Sequence, residues 1–406
     1  MVNPALTVGP AWLRTRVGWA GRAARALTTL VSASVLAAGA LALMPAPARA
    51  EDVITTQEYF SYYHLDQARA KGYTGKGVTI ALFDGPVDTS APELKGANIT
   101  DKSRCTIEAS AATRSHGTSM ASMLVSPTFG VAPDATLLTY QSSATEDISL
   151  GSCENIGGVR HNSISHLINQ AIDDGVQIIS LSQGSEATGD DIKWAIARAM
   201  SEGVIIVNSA GNAASDSNGG QLSRWSGVVG VAAITADGQR ADYSSWGNGV
   251  TTAAFGGPVA SRNYETGKIE ETTGTSNSAA LTSGMLALAR QKWPDATANQ
   301  ILQVLTHTGL NPNHEWNQYT GYGAADLGAL VNTDPSQYPD ENPLAQKQGG
   351  SAPTVQEVQD YADGVVEPNP DTLDHSYVYR GIDEAAALMD DVGPVHLGTS
   401  PRYHRK

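Results

Sequence analysis

Short apolar runs rich in valine and isoleucine recur through the middle of the chain, and small or polar turn residues separate them. Five of these runs occupy residues 77–88, 135–141, 176–184, 203–212 and 227–234. Runs of this length with few charged side chains are typical of strands that are buried on both faces of a sheet. The pattern therefore predicts a central parallel sheet.

Helical patterns separate several of the apolar runs. Residues 115–125, 163–175 and 190–203 repeat their apolar positions at intervals of three and four, and Gly203 marks the end of the last one. Strands that alternate with helices predict an α/β protein of three layers, α/β/α, whose sheet is mostly parallel. In such folds the chemistry lies at the carboxyl ends of the strands.

Two further helical stretches, 276–293 and 296–309, end the apolar part of the chain. Beyond about residue 333 the sequence is rich in Asp, Glu, Pro and Gln and poor in large apolar side chains. We therefore expect residues 333–406 to form an acidic, flexible tail that acts as a solvated spacer.

The first fifty residues have the pattern of a secretory signal peptide. Four arginines precede an apolar stretch at residues 26–44, and Ala48 and Ala50 form a small-residue cleavage site. An uncleaved membrane anchor is the alternative, because the apolar length permits one. We expect cleavage after Ala50, which releases the mature protein from the membrane for secretion. Residues 51–332 are then expected to form its folded domain.

Composition narrows the choice of partners. The 406-residue chain has a formal net charge of −15 at pH 7, and 41% of its residues are hydrophobic. The core is therefore large enough for one sizeable domain, and the acidic balance speaks against nucleic acid or an anionic membrane as a partner. We expect a monomer.

Cys105 and Cys153 are the only cysteines in the sequence. An exported chain folds where disulfides persist, which favours one bridge between them. Two unpaired thiols or a bridge between chains stay open, because sequence alone does not bring the two Cα atoms within bridging distance.

Ser276 lies in "TTGTSNSAAL", a small and polar turn ahead of an apolar helix. A serine there can be a simple helix N-cap. It can also be a nucleophile, because the free N–H groups and the positive end of the helix stabilise an oxyanion that forms beside its hydroxyl. To attack a carbonyl, the hydroxyl still needs a base.

Three other polar residues supply the rest of such a site. His116 is a candidate base, and Asp84 ends the first apolar run, where it can fix the tautomer of His116. Asp88 competes for that role. Asn212 follows another strand and can donate to an oxyanion, although Asn in a turn is also used for left-handed geometry.

Asp84, His116, Asn212 and Ser276, within "DGPVD", "SHGT", "SAGN" and "GTS", resemble the catalytic motifs of the subtilisin-like serine proteases, the subtilases of peptidase family S8. The resemblance covers residues 60–332. It implies an α/β fold and an endopeptidase that acts on polypeptides: Ser276 attacks, His116 moves the proton, Asp84 orients His116, and Asn212 holds the oxyanion.

The resemblance also implies where the substrate binds. Subtilases carry a substrate-binding edge strand with the sequence Ser-Leu-Gly-Gly, and Ser180 and Leu181 match its first half. Ser182 and Gln183 replace the two glycines, which we expect to narrow or polarise the specificity pocket. This substitution leans toward a selective processing enzyme rather than a broad scavenging protease.

We expect no cofactor and no transition metal. His161 and His166 are five residues apart and do not share a helical face, and no other cluster of His or Cys is present. The segment after His116 is too short for the calcium loop of some subtilases, so only a weak calcium site elsewhere stays open. Residues 51–83 leave no room for an N-terminal prodomain.

Two alternatives remain. Ser182 in "SLSQGS" is a weak form of a nucleophile elbow, and in an α/β-hydrolase it would pair with His307. A catalytically silent subtilase fold that serves as an extracellular binding or scaffold protein is the other alternative. The four matched residues favour the enzyme.

Overall fold

The fold is described from a computed structural model, and the residues described are 53–142, 153, 161–183, 189–216, 221–347 and 351–365. The predicted signal peptide and residues 366–406 of the predicted tail lie outside them.

The centre of the molecule is a seven-stranded sheet in the order β2-β3-β1-β4-β5-β6-β7. Every neighbouring pair in it is parallel. This confirms the predicted α/β class with a parallel central sheet. The strands are β1 (Thr79–Asp84), β2 (Ile99–Asp101), β3 (Thr136–Gln141), β4 (Ile178–Leu181), β5 (Ile205–Ser209), β6 (Val228–Ile234) and β7 (Val250–Phe255).

Helices cover both faces of this sheet. In β1, Ile80 and Leu82 pack into one large apolar cluster, while Ala81 and Phe83 pack into a second cluster on the opposite face. The helices are α1 (Glu58–Tyr62), α2 (Leu65–Ala70), α3 (Ala111–Val125), α4 (Ile164–Asp173), α5 (Asp190–Glu202), α6 (Thr275–Lys292), α7 (Ala298–His307), α8 (Leu327–Asn332) and α9 (Val355–Ala362).

Helix α6 is buried over residues 275–289, that is, on all of its sides. Its sequence is apolar or small all round, as expected for a helix inside the domain and not on its surface. Gly284 permits this close packing, because a Cβ there would lie 2.5 Å from the Val131 side chain. The small, polar start of α6 is thereby brought to the edge of the sheet.

The order in which the chain adds strands to the sheet reverses between β1 and β4. The chain fills the positions on one side of β1 with β2 and β3, and the positions on the other side with β4 to β7. A crevice forms beyond the carboxyl ends of the strands at such a switch point. Asp84 ends β1 there, and Ser182 and Gln183 follow β4.

A two-stranded antiparallel hairpin lies outside the main sheet. It consists of β8 (Val259–Asn263) and β9 (Lys268–Thr272). Gln57 holds the backbone of Ala260 through two hydrogen bonds, of 2.8 and 3.0 Å. Arg262 forms an ion pair of 2.6 Å with Glu93, whose side chain is only 2% exposed. These contacts fix the hairpin as a rigid wall.

The prediction that residues 333–406 form a flexible tail is wrong for the part that the structure describes. Residues 333–347 and 351–365, here called the C-terminal arm, pack on the domain. Leu344 and Tyr361 are buried, and helix α9 lies against α5. A few apolar side chains spaced along a polar segment are enough to dock it, which overall composition does not reveal.

Polar contacts reinforce the docking of the arm. Lys347 Nζ donates to the backbone carbonyl oxygens of Ser223 and Gly249, at 2.6 and 2.9 Å. Glu357 forms an ion pair of 3.0 Å with Lys193 of α5. The folded domain therefore extends past its predicted end at residue 332.

Cys105 and Cys153 form a disulfide, with the two Cα atoms 5.1 Å apart.

Within the residues that the structure describes, every helix is too short or too polar to span a bilayer.

Candidate active site

Asp84 and His116 form the centre of the site. Asp84 is the last residue of β1 and is buried, and its Oδ1 accepts a hydrogen bond of 2.8 Å from His116 Nδ1. Asp84 Oδ1 also accepts the backbone N–H of Gly85, at 2.7 Å. The contact requires α3 to approach the end of β1 closely. Gly117 allows this, because a Cβ there would lie 2.4 Å from the Gly85 carbonyl oxygen.

The proton balance of His116 is set by two opposing effects. Burial disfavours the charged ring, but the charge of Asp84 and its hydrogen bond outweigh burial and raise the pKa of His116 above its usual 6.5. Because Asp84 accepts the proton on Nδ1, the neutral tautomer leaves Nε2 as an acceptor. This is the protonation state that a general base needs.

Ser276 is the second residue of α6 and is almost buried, at 9% exposure. The helix N-cap is Gly274, so the simple capping role considered for Ser276 does not apply. Ser276 Oγ donates a hydrogen bond of 2.6 Å to the carbonyl oxygen of Ser182. The hydroxyl thus lies between the end of β4 and the cleft that His116 lines.

Asn212 is oriented by Thr275. Its Oδ1 accepts hydrogen bonds of 2.8 Å from both the backbone N–H and the hydroxyl of Thr275. Because the backbone N–H of Thr275 can only donate, the carboxamide atom of Asn212 that faces it must be the oxygen. The NH₂ group of Asn212 therefore points away from Thr275 and lies beside Gly274. Asn212 does not supply left-handed geometry in this turn; Gly211 does, with φ of 101°.

His116, Asn212 and Ser276 line one cleft of about 250 Å³. Helix α3 forms one wall, the start of α6 forms the floor, and the β8–β9 hairpin forms the other wall. The lining residues are Ala112, Ser115, His116, Ser119, Met120, Asn212, Ser261, Asn263, Glu265, Glu270, Thr272, Thr273, Gly274, Ser276 and Asn277. The hairpin's part in the site was missed from the sequence, although its two polar runs flank the turn sequence "ETG".

The predicted place on a substrate-binding edge strand is wrong for Ser180 and Leu181. Strand β4 is an interior strand, paired with β1 on one side and β5 on the other. Ser180 and Leu181 have no exposed surface and cannot contact a substrate. Ser182, which follows β4, lies beside Ser276, and its role in substrate binding stays a prediction.

Gln183 lies behind the carboxylate of Asp84. Its Nε2 is 3.5 Å from Asp84 Oδ1, and its Oε1 accepts a hydrogen bond of 2.8 Å from Ser142 Oγ. The sequence predicted a role in substrate binding for Gln183. Its side chain also faces the carboxylate that holds His116, and its role in substrate binding stays a prediction.

The competing candidates have other contacts. Asp88 Oδ1 accepts hydrogen bonds from the backbone N–H and hydroxyl of Ser90. His307 Nδ1 lies 2.9 Å from the carbonyl oxygen of Gln303, within the same helix. Its ring stacks on Tyr338. Among the described residues, no hydrogen bond or ring contact joins His307 to Ser182, so the nucleophile elbow has no assembled partner there.

His161 and His166 come together although they share no helical face. Their rings are 5.0 Å apart, because His161 precedes the helix and helical spacing does not apply to it. Across the residues that the structure describes, no three His, Cys, Asp or Glu side chains group in a way that would hold a metal ion. Helix α3 runs from Ala111 to Val125 without interruption.

A buried aspartate that orients a histidine, and a serine at a helix start in the same cleft, are the elements of a serine peptidase on an α/β fold. The family model described as "Subtilase family" matches residues 75–323. The chain therefore belongs to the subtilase family, and it is a serine-type peptidase.

Known relatives agree with this assignment. A thermostable alkaline protease from Halalkalibacterium halodurans is 30% identical over 256 residues, which cover 61% of this chain and 66% of the relative. Subtilisin DY from Bacillus licheniformis is 26% identical, over 66% of this chain and 95% of its own length. Mycosin-1 from Mycobacterium tuberculosis is 28% identical, over 73% of this chain and 75% of its own length.

Solved structures share the fold. MycP1 from Mycobacterium smegmatis superimposes with a TM-score of 0.54 and 24% identity, covering 76% of this chain and 91% of that one. The prenylagaramide maturation protease PagA gives a TM-score of 0.54 and 22% identity, covering 66% and 96%.

Proposed function

We propose that this peptidase is a secreted endopeptidase in which Asp84, His116 and Ser276 form the catalytic triad and Asn212 assists the oxyanion. The observation that carries the proposal is the 2.8 Å hydrogen bond between Asp84 and His116 in the cleft that Ser276 and Asn212 also line. The raised pKa of His116 supports it, because a base of this kind must accept a proton readily.

The reaction begins when Ser276 Oγ leaves the Ser182 carbonyl and donates its hydrogen bond to His116 Nε2. His116 takes the proton as Oγ attacks the peptide carbonyl carbon. Asp84 stabilises the imidazolium that results. The negative charge on the substrate oxygen is met by the Asn212 NH₂ group and by the backbone N–H of Ser276 at the positive end of α6.

Breakdown of this intermediate returns the proton. The C–N bond breaks, His116 donates its proton to the leaving amine, and the acyl group stays on Ser276 as an ester. A water molecule then gives one proton to His116 and attacks the ester carbonyl carbon. The C–O bond to Ser276 breaks, His116 returns its proton to Ser276 Oγ, and the acid is released. No cofactor enters these steps, and a weak calcium site would serve stability only.

Export of the chain is part of the proposal. It rests on the signal-peptide pattern of residues 1–50 and on the presence of a disulfide, which persists outside the cytosol. We further propose that the enzyme acts as a monomer on polypeptides.

Casein hydrolysis by the protein and by two variants tests the assignment. Ser276→Ala should abolish hydrolysis, because no other hydroxyl takes the proposed position. Ser182→Ala is the matched control and should keep most of the activity. It keeps the backbone carbonyl that contacts Ser276 Oγ and loses only a hydrogen bond of 3.3 Å from the Ser182 hydroxyl to the Ser276 carbonyl oxygen. Loss of activity in Ser182→Ala but not in Ser276→Ala would favour the nucleophile elbow and overturn the proposal.

A further inference from the structure

The β8–β9 hairpin turns one of its two faces to the catalytic cleft. Ser261 and Asn263 of β8 and Glu270 and Thr272 of β9 line the cleft, two residues apart in each strand. Glu271 belongs to the other face, because successive side chains of a strand point to opposite sides. The strand therefore places one of two adjacent glutamates in the cleft and the other outside it.

The cleft wall carries negative charge at a fixed place. Hydrogen bonds from Thr266 Oγ1 and Asn263 Nδ2, of 2.7 and 2.8 Å, lower the pKa of Glu270 and keep it ionised at neutral pH. Glu265 is a second lining carboxylate beside it. Both side chains are exposed and thus accessible to a substrate.

Positive charge near this wall is sparse. Among the described residues that line the cleft, none is Lys or Arg, and His116 is the one titratable base. Lys268 belongs to β9 and adds to the lowering of the Glu270 pKa, and Arg114 lies over the Tyr264 ring at 5.7 Å. By the same alternation Lys268 shares the face of Glu270, but neither it nor Arg114 lines the cleft, so a cationic side chain of a substrate would meet the two carboxylates there.

The position of the cleft relates this charge to one part of the substrate. His116 gives its proton to the leaving amine, so the segment that follows the cleaved bond starts at His116. The wall that carries His116 is α3, and the hairpin stands opposite it. The hairpin is also bonded directly to α3, because the backbone N–H of Tyr264, in its turn, donates to Ser115 Oγ at 2.8 Å.

We propose that Glu265 and Glu270 select substrates with a lysine or arginine within the first three residues after the cleaved bond. This inference rests on the proposed triad for the direction of the substrate. Exposed ion pairs are weak one by one. Two carboxylates together should give about a 3- to 10-fold preference in kcat/KM at low salt, and this preference should shrink as salt screens it.

Matched peptide pairs that differ only in Lys or Gln at each of these three positions test the inference. The unaltered protein should cleave the Lys peptide of one pair faster by the stated factor. Glu265→Gln/Glu270→Gln should bring the ratio of kcat/KM close to one. Glu271→Gln removes the same charge from the opposite face of the same hairpin and should keep the preference.

A binding measurement separates this inference from the catalytic one. Ser276→Ala should bind the Lys peptide more tightly than the Gln peptide, and the added Glu265→Gln/Glu270→Gln change should remove the difference. Equal binding, or equal cleavage by the unaltered protein, overturns the inference and leaves the triad standing. Charge-selective binding without any Ser276-dependent cleavage would instead overturn the triad.

Discussion

At the scale of single residues, the sequence alone indicated the four residues of the proposed site, but the contacts of their neighbours could not be predicted. Asp84 ends a strand, Asn212 follows one, and Ser276 is the second residue of a helix. His116 lies in the second turn of α3. Gln183 follows a strand in the same way, yet its contact with Asp84 depends on which strands are neighbours in the sheet.

The raised pKa of His116 makes a prediction about pH. The base must be neutral, so activity should rise with pH through a midpoint above 6.5, the usual pKa of histidine. Asp84→Asn removes the cause of the raised pKa, and it should lower both the midpoint and kcat, the latter by about 10⁴-fold as in other serine proteases. The pH profile of kcat/KM measures the midpoint. Asp88→Asn is the control, and an identical shift in that variant would contradict the account.

Gln183→Glu tests the contact behind Asp84. A second carboxylate near Asp84 favours the charged imidazolium, so the pKa of His116 should rise further and the acid limb of the pH profile should move to higher pH. Gln183→Met adds no charge and should leave the limb where it is or move it slightly. If the acid limb has the same midpoint pH in both variants, the side chain at position 183 does not act on His116.

At the scale of elements, periodicity predicted the strands of the main sheet and the helices that cover it, because burial on both faces leaves continuous apolar runs. The hairpin escaped prediction because it is polar on the face that lines the cleft. Ser180 and Leu181 were assigned to an edge strand, since a sequence contains no direct record of strand order. Pairing with both β1 and β5 decides their burial.

The anchor of the hairpin predicts a measurable stability effect. Arg262→Met leaves Glu93 buried without this ion-pair partner and should destabilise the protein by about 3 to 5 kcal/mol. The double variant Arg262→Met/Glu93→Leu removes both charges and should recover most of the loss. Urea unfolding measures both variants. A double variant that is less stable than the single one would contradict this view of the anchor.

At the scale of the whole molecule, the C-terminal arm extends the domain beyond the matched residues 75–323. Leu344, Lys347 and Tyr361 contact different parts of the domain surface. Burial lowers the pKa of Lys347 to about 7. The unfolded chain binds this proton more tightly than the folded protein does, so the cost that this group adds to folding falls as pH rises from 7 toward 10.5.

Two truncations test the arm. A chain that ends at residue 365 is the reference, because it keeps all docking contacts that the structure describes. A chain that ends at residue 332 should melt several degrees lower, because it uncovers the apolar surface under Leu344 and Tyr361. Thermal unfolding at fixed pH measures both, and equal melting temperatures would restore the view of these residues as a spacer.

The most direct test of the central claim, that Ser276 is the nucleophile activated by His116 and Asp84, is covalent labelling. A serine-directed fluorophosphonate is added to the folded protein, and the labelled peptide is identified by mass spectrometry. The account predicts one label, on Ser276, that disappears in Ser276→Ala, slows strongly in His116→Ala and persists in Ser182→Ala. A label on Ser182 or another serine, or no label on folded protein, would contradict it.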